Sequence, residues 1–424
     1  MNFYKKIIQT SLFKITSLNS LSVALKIGIG LITSKILAVF VGPGGMALVG
    51  NLRNFLTSLE NISTLGFQNG IVKYVAENEK SQAEFQKIIT TVFISLIVVA
   101  FLLSCILFFA ADYWNNRIFG NNKEYLVVFE VVALVLPFYA VSIFFVAVIN
   151  GLGKFQKVIW INIIGNTIGL LVSVFMIFEY KTIGALLAIV IAPALLFLVT
   201  FYLIQKEIKV FQIIKLHLFD FQVLKNLSSY SLMALVSSVF GPLVFLAIRN
   251  HIMQDLGVVQ AGYWETMTRI SSYYLLFVST ILTVYFLPKL AKASTNEETK
   301  SIFWQYYKFI LPLFVVALTV LYFCRYFTVQ LLFSKEFLPV TNLFLWQLLG
   351  DIFKVCSLIL GYQFFAKKLT SAFIITELFS LLLLYFASLF SIKTFQIEGV
   401  VIAYAFQNLI YLIVLSVYFR KSLF

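Results

Sequence analysis

From about residue 17 onward the chain is a succession of apolar runs, each about 20 residues long, joined by short basic connections. Few folds tolerate that pattern. A run of this length crosses the hydrocarbon core of a bilayer as a helix, because a helix satisfies its backbone polar groups within the segment. Composition excludes the soluble alternative: of 424 residues, 61% are hydrophobic and only 12% charged, too little polar surface for a soluble molecule of this size. The fold class expected is an all-α polytopic membrane protein. Twelve spans are predicted, at about 17–40, 45–70, 88–111, 125–149, 156–178, 182–204, 228–248, 260–287, 303–323, 339–365, 370–391 and 398–419.

The net charge of +14 would suggest nucleic acid in a soluble protein. Here it has a simpler cause, because Lys and Arg collect in cytoplasmic loops. Nineteen lie in the two termini and the even-numbered connections, against seven in the odd-numbered ones. That asymmetry predicts both termini in the cytoplasm and no nucleic-acid partner. The N-terminus, MNFYKKIIQTSLFKITSLNS, is basic and amphipathic without a small-x-small cleavage site, so it reads as an uncleaved first helix. The connection at 207–227 interleaves Lys with Phe, Ile and Leu, the pattern of an amphipathic helix on a membrane surface.

Two halves repeat. Arg53 and Arg269 are 216 positions apart, as are Lys73 and Lys289; Gly184 and Gly399 are 215 apart, as are Lys206 and Lys421. Six spans per half means that both halves enter from one side, as in parallel-repeat transporters. The division expected is an N-lobe of helices 1–6 (1–206), an amphipathic cytoplasmic linker (207–227) and a C-lobe of helices 7–12 (228–424), pseudo-symmetric around a central cavity. Gly42-Pro43-Gly44-Gly45 predicts a tight outer turn, and Gly241-Pro242 an interruption of the seventh span that could serve as a hinge.

Charges inside the spans carry the functional reading. The stretch Met46–Ala76 keeps Arg53 and Glu60 in an apolar run, although an ionised group at the bilayer centre costs about 2.5–3.5 kcal/mol on insertion scales. They are seven residues apart, so they share a helix face, and a structural pair neutralised across the bundle is the alternative to contact with substrate. Lys26, Arg269 and Lys354 are also too deep to snorkel easily. Arg249 closes the outer end of the seventh span, as a substrate ligand or a surface anchor. Arg53, Arg269, Lys26, Lys354 and Arg249 are the candidate substrate-binding residues, since arginine presents a planar fork to phosphate oxygens. Glu60, Asp351 and Glu377 are candidates for ion coupling or charge pairing, with Asp351 and Lys354 spaced to pair on one helix. Glu130 and Glu265 fall near outer ends and are expected to be wet.

Nothing points to catalysis. Cys105, Cys324 and Cys356 lie in apolar segments without metal spacing, and His217 and His251 have no local metal or nucleophile partner. No metal is expected. No GxxxxGK[ST] occurs, so no nucleotide-hydrolysing loop drives transport and no cofactor is expected.

Several stretches carry a family resemblance. LFLWQLLGDIFKVCSLILGYQFFAKK, KIGIGLITSKILAVFVGPGGMALVGNLRNF, GFQNGIVKYVAE and YFLPKLAK resemble the corresponding regions of Wzx-type lipid-linked oligosaccharide flippases. The branch is that of O-antigen translocases and the enterobacterial common antigen flippase, within the multidrug/oligosaccharidyl-lipid/polysaccharide exporter superfamily. The resemblance covers essentially the whole chain. It implies twelve helices in two lobes around a V-shaped cavity in the bacterial inner membrane. It also implies a substrate, an undecaprenyl-pyrophosphate-linked oligosaccharide repeat unit, carried from the cytoplasmic to the periplasmic leaflet. Membrane lipids and a polysaccharide polymerase with its chain-length regulator are the partners that fit. Matching positions here are Lys26, Arg53, Lys73, Lys289, Asp351 and Lys354. Two alternatives remain open at this stage. A cation-coupled drug antiporter would want an acid-dominated cavity, and a membrane polysaccharide polymerase would want a sizeable outward loop.

Overall fold

A computed structural model of the chain describes residues 11–120 and 122–423. The basic residues at the N-terminal tip, Lys5 and Lys6 among them, lie outside the described residues. Every regular element among the described residues is helical: α1 (Ser11–Phe40), α2 (Gly42–Ser63), α3 (Gln68–Asn78), α4 (Gln82–Phe109), α5 (Ala111–Phe119), α6 (Leu126–Gly151), α7 (Phe155–Gln205), α8 (Val210–Ile213), α9 (Phe221–Asp255), α10 (Val258–Ile281), α11 (Leu287–Lys292), α12 (Asn296–Phe323), α13 (Arg325–Leu332), α14 (Phe344–Lys367), α15 (Thr370–Tyr418) and α16 (Arg420–Leu423). Nine helical stretches among the described residues are long and apolar enough to cross a membrane. The chain is a multi-pass membrane protein.

Backbone geometry repeats at one spacing. Gly42 and Gly257, Gly153 and Lys368, and Lys181 and Gln396 all have positive φ, and each pair is separated by 215 positions. Lys181 (φ 49°, ψ −120°) breaks α7, and Gln396 (φ 52°, ψ −134°) breaks α15. Three residues after each break stands a glycine. A Cβ on Gly184 would lie 1.8 Å from the Met176 carbonyl oxygen, and one on Gly399 2.3 Å from that of Ser391. Only glycine lets the second half of each helix fold back onto the first. The repeat read from residue types is thus also a repeat of chain reversals.

Three expectations need correction. The span predicted to run to about residue 70 ends at Ser63, because Leu65 (φ 53°) and Gly66 (φ 62°) turn the chain before α3. At Gly241-Pro242 helix α9 continues unbroken. The 207–227 connection is not one helix. It holds the single turn α8, a 3-10 turn at Leu216–Leu218 and the start of α9. It is fastened to α4 by backbone donation from Lys215 and Asp220 to the hydroxyls of Thr90 and Thr91, and by an Asp220–Lys87 ion pair at 2.9 Å.

The chain forms two compact units. The first comprises the described residues up to Phe40 together with Phe55–Val239. Its core is built from Ile71 and Val75 of α3, Ile89 and Val92 of α4, and Phe144 and Val148 of α6. The second comprises Val41–Asn54 and the chain from Phe240 onward. Within it the hydroxyls of Tyr306 and Tyr307 on α12 donate to the carbonyls of Val355 and Cys356 on α14, at 2.9 and 2.8 Å. Large apolar side chains such as Phe101, Phe109, Leu134 and Phe390 stay exposed, as lipid-facing residues do.

Candidate functional site: an arginine cluster on one carboxylate

Helix α2 places Arg53 in the second unit, where α9 supplies Arg249 and α10 supplies Glu265 and Arg269. The three guanidinium groups converge on the one carboxylate. Arg249 Nη2 donates to Glu265 Oε2 at 2.6 Å, Arg269 Nη2 donates to Oε1 at 3.1 Å, and Arg53 Nη1 stands 3.7 Å from Oε1. A charged group taken out of water needs a partner and satisfied hydrogen bonds; the surroundings supply the partner and most of the hydrogen bonds, leaving Arg249 Nε without an acceptor among the described residues. Asn51 Oδ1 accepts from Arg249 Nη1 at 3.3 Å, while Asn51 Nδ2 donates to Asn250 Oδ1 at 2.7 Å. The Trp264 ring covers the Arg249 guanidinium at 5.2 Å and is itself stacked on Phe245.

Two glycines make the approach of α2 possible. A Cβ on Gly50 would stand 2.4 Å from Glu265 Oε2, and one on Gly262 would stand 1.8 Å from the Pro43 carbonyl oxygen. The missing side chains let the carboxylate reach α2 and let α10 close on the start of that helix.

Access divides the three arginines. Side-chain exposure is 1% for Arg249, 3% for Arg269 and 44% for Arg53. Arg53 is therefore the member an anion can reach, and the other two hold the carboxylate behind it. Three cations against one anion make the cluster electropositive, which favours an anionic ligand at its exposed face.

The other candidates have different surroundings. Arg249 is not a surface anchor; its side chain is buried. Glu265 is not wet but 5% exposed, and sequence reasoning missed it. Its position four residues before Arg269 was the available signal, since that spacing puts the two on one helix face. Arg53 and Glu60 do not pair. Glu60 belongs to the first unit, where it accepts from the Tyr139 hydroxyl at 2.6 Å.

Asp351 does not pair with Lys354 either. Its carboxylate, fully buried, accepts from the hydroxyls of Ser271 (2.6 Å), Tyr274 (2.5 Å) and Tyr404 (2.8 Å), and Gln347 adds a longer donation at 3.3 Å. Lys354 instead lies over the Tyr404 ring, 5.7 Å from its centroid. Glu377 accepts from Tyr411 at 3.5 Å, a long contact. Lys26, in the first unit, is exposed. Among the described residues no group of His, Cys, Asp and Glu is arranged to hold a metal ion.

Residues 12–293 match the polysaccharide biosynthesis protein family. The lipid III flippase of Escherichia coli (strain K12) is 30% identical over 385 residues, which cover 88% of this chain and 90% of that protein. The lipid III flippase of Shigella flexneri matches to the same extent. Among solved structures, a multidrug resistance MATE family transporter of the MOP superfamily, in an inward-facing conformation, aligns with a TM-score of 0.80 at 14% identity over 93% of this chain and 94% of that one. A Vibrio cholerae MATE transporter aligns with a TM-score of 0.71 at 15% identity over 97% and 96%. At such identities the likeness is one of fold. Matched over most of its length in sequence, the chain belongs to the polysaccharide biosynthesis protein family.

Proposed function

We propose that this chain is a flippase for an undecaprenyl-pyrophosphate-linked oligosaccharide repeat unit, of the O-antigen or enterobacterial common antigen type. The observation that carries the reading is Arg53, the exposed member of a three-arginine cluster in a membrane protein of this family. An arginine fork suits the paired oxygens of a pyrophosphate, and the Escherichia coli and Shigella relatives are named lipid III flippases.

In this account Arg53 grips the pyrophosphate, with Arg269 and Arg249 behind it. Lys26 and Lys354 are further candidates to meet the anionic substrate, and the prenyl tail stays in lipid. The moving parts are two six-helix lobes, 1–206 and 228–424, joined by 207–227 and exchanging access between the two sides of the inner membrane. Twelve spans are supported by the backbone breaks at Lys181 and Gln396, which divide α7 and α15 into two spans each, and by α2 as a further one. The 215-residue recurrence of chain reversals supports two like halves. The excess of Lys and Arg at the termini supports a cytoplasmic position for both. Asp351, Glu60 and Glu377 are the groups through which a cation gradient would act. A polymerase and its chain-length regulator would receive the product.

The fold likeness to multidrug transporters favours a drug antiporter as the second reading. The arginine cluster argues against it, because a cationic drug would meet repulsion at Arg53.

The experiment is leaflet-resolved detection of lipid-linked oligosaccharide in a strain lacking the gene. Accumulation on the cytoplasmic leaflet is expected. Accumulation of unpolymerised units on the outer leaflet would instead assign the chain a polymerising role, and no change in either leaflet would remove the flippase reading.

A further inference from the structure

Glu265 meets its three partners on unequal terms. Arg249 and Arg269 approach to 2.6 and 3.1 Å and are buried, whereas Arg53 stands off at 3.7 Å and is exposed. An anion arriving at Arg53 meets a guanidinium already facing a carboxylate. A headgroup that comes as close to Arg53 as Glu265 does is repelled by that carboxylate. One must yield, and Glu265 can, because Arg249 and Arg269 still neutralise it.

We propose that Glu265 is the exchangeable counter-ion of Arg53, a positioning residue that holds the guanidinium in place and is displaced from it by the anionic headgroup. This rests on the reading of Arg53 as the headgroup ligand. The exchange also explains why one carboxylate is surrounded by three arginines. Arg249, with Asn51 and Trp264 fixed around it, keeps Glu265 from becoming an unpaired buried charge when Arg53 is taken.

The proposal sets the direction of an affinity change. Without Glu265 an anion no longer has to compete for Arg53 and binds more tightly. At constant cluster charge, a carboxylate with a merely structural role would leave binding unchanged or weaken it on removal. The single substitution Glu265→Gln also raises the formal charge of the cluster, which would tighten anion binding by itself. The double substitution Glu265→Gln with Arg249→Gln removes one charge of each sign and leaves the cluster charge as it was, while Arg269 also gives up its contact with the carboxylate.

The test is titration of the purified full-length protein with inorganic pyrophosphate at fixed ionic strength, for the wild type, Arg53→Ala, Glu265→Gln, and the double variant, each checked for folding by its thermal transition. The expected result is loss of binding in Arg53→Ala and about five- to tenfold tighter binding in the double variant, with Glu265→Gln at least as tight. Unchanged or weaker binding in a folded double variant, while Arg53→Ala still loses binding, overturns the exchange and leaves Arg53 as the ligand. Unimpaired binding in Arg53→Ala overturns the headgroup reading itself.

Discussion

Arg249 and Glu265 form the shortest contact of the arginine cluster, 2.6 Å between Nη2 and Oε2, with both side chains almost completely removed from water. A pair so placed is destabilised far more by losing one member than both. Arg249→Ala is expected to destabilise the protein by about 3–5 kcal/mol. The double replacement Arg249→Gln with Glu265→Gln is expected to recover only part of that loss, because Arg269 gives up the same carboxylate. The thermal transition of the detergent-purified protein measures both, and an Arg249→Ala transition unchanged from wild type would contradict the burial.

Glycine at position 50 is required by that same carboxylate. Gly50→Ala puts a methyl group 2.4 Å from Oε2 and 2.5 Å from Cδ of Glu265, so the side chain or helix α2 must shift. A loss of about 1–3 kcal/mol is expected, as for other overpacked sites. Gly262→Ala should be worse, because its neighbour at 1.8 Å is the backbone oxygen of Pro43 rather than a side chain. Equal effects of the two substitutions on the thermal transition would argue against this packing.

Strain at the two helix breaks can be relieved. Lys181 and Gln396 hold φ near +50° with strongly negative ψ, a region where a non-glycine residue costs on the order of 1–3 kcal/mol. Lys181→Gly and Gln396→Gly are each expected to stabilise the fold by about 1 kcal/mol, after the added freedom of glycine in the unfolded chain is subtracted. The effects should add, since the sites lie in separate units. A lowered transition in both variants would contradict the strain.

The 206–220 connection should respond to acid. The Lys87 ammonium, aided by the backbone amide of Gln222, holds the Asp220 carboxyl below the usual carboxylate range. A depressed folded value means that the contribution to stability is present above the unfolded value, near 3.9, and is lost as pH falls through the folded one. Hydrogen exchange of residues 207–220, corrected for intrinsic rates, should therefore stay slow from pH 7 to about 4 and rise below that. Asp220→Asn should show the faster exchange already at pH 7. Slow exchange in that variant would mean that the Thr90 and Thr91 hydroxyls alone fasten the connection.

Much of the fold was legible because its determinants are local. Run length and apolarity place a span without knowledge of its neighbours, and the offset shared by Gly184 and Gly399 with other landmarks already pointed to a repeat, though not to the chain reversal beside each glycine. Arg53 was legible for the same reason, as a charge that no lipid-facing helix would keep. What surrounds a charge was not. Glu265 lies seven residues into α10, a position that reads as wet. What buries it is an absent side chain at Gly50 and an indole at Trp264 over its partner. Asp351 and Lys354 have the spacing of an ion pair, yet hydroxyls from Ser271, Tyr274 and Tyr404 occupy the carboxylate. Leu65 gave no warning of a turn, since leucine seldom adopts positive φ.

The central claim is that Arg53 holds the pyrophosphate of a lipid carried across the membrane. It is tested most directly by complementing the deletion strain with Arg53→Ala, confirming that the variant is folded and inserted, and measuring lipid-linked oligosaccharide in each leaflet. The account predicts accumulation on the cytoplasmic leaflet as in the uncomplemented strain, with Arg53→Lys recovering only part of the transfer because lysine offers no fork. Transfer at the wild-type level in the Arg53→Ala strain would contradict it.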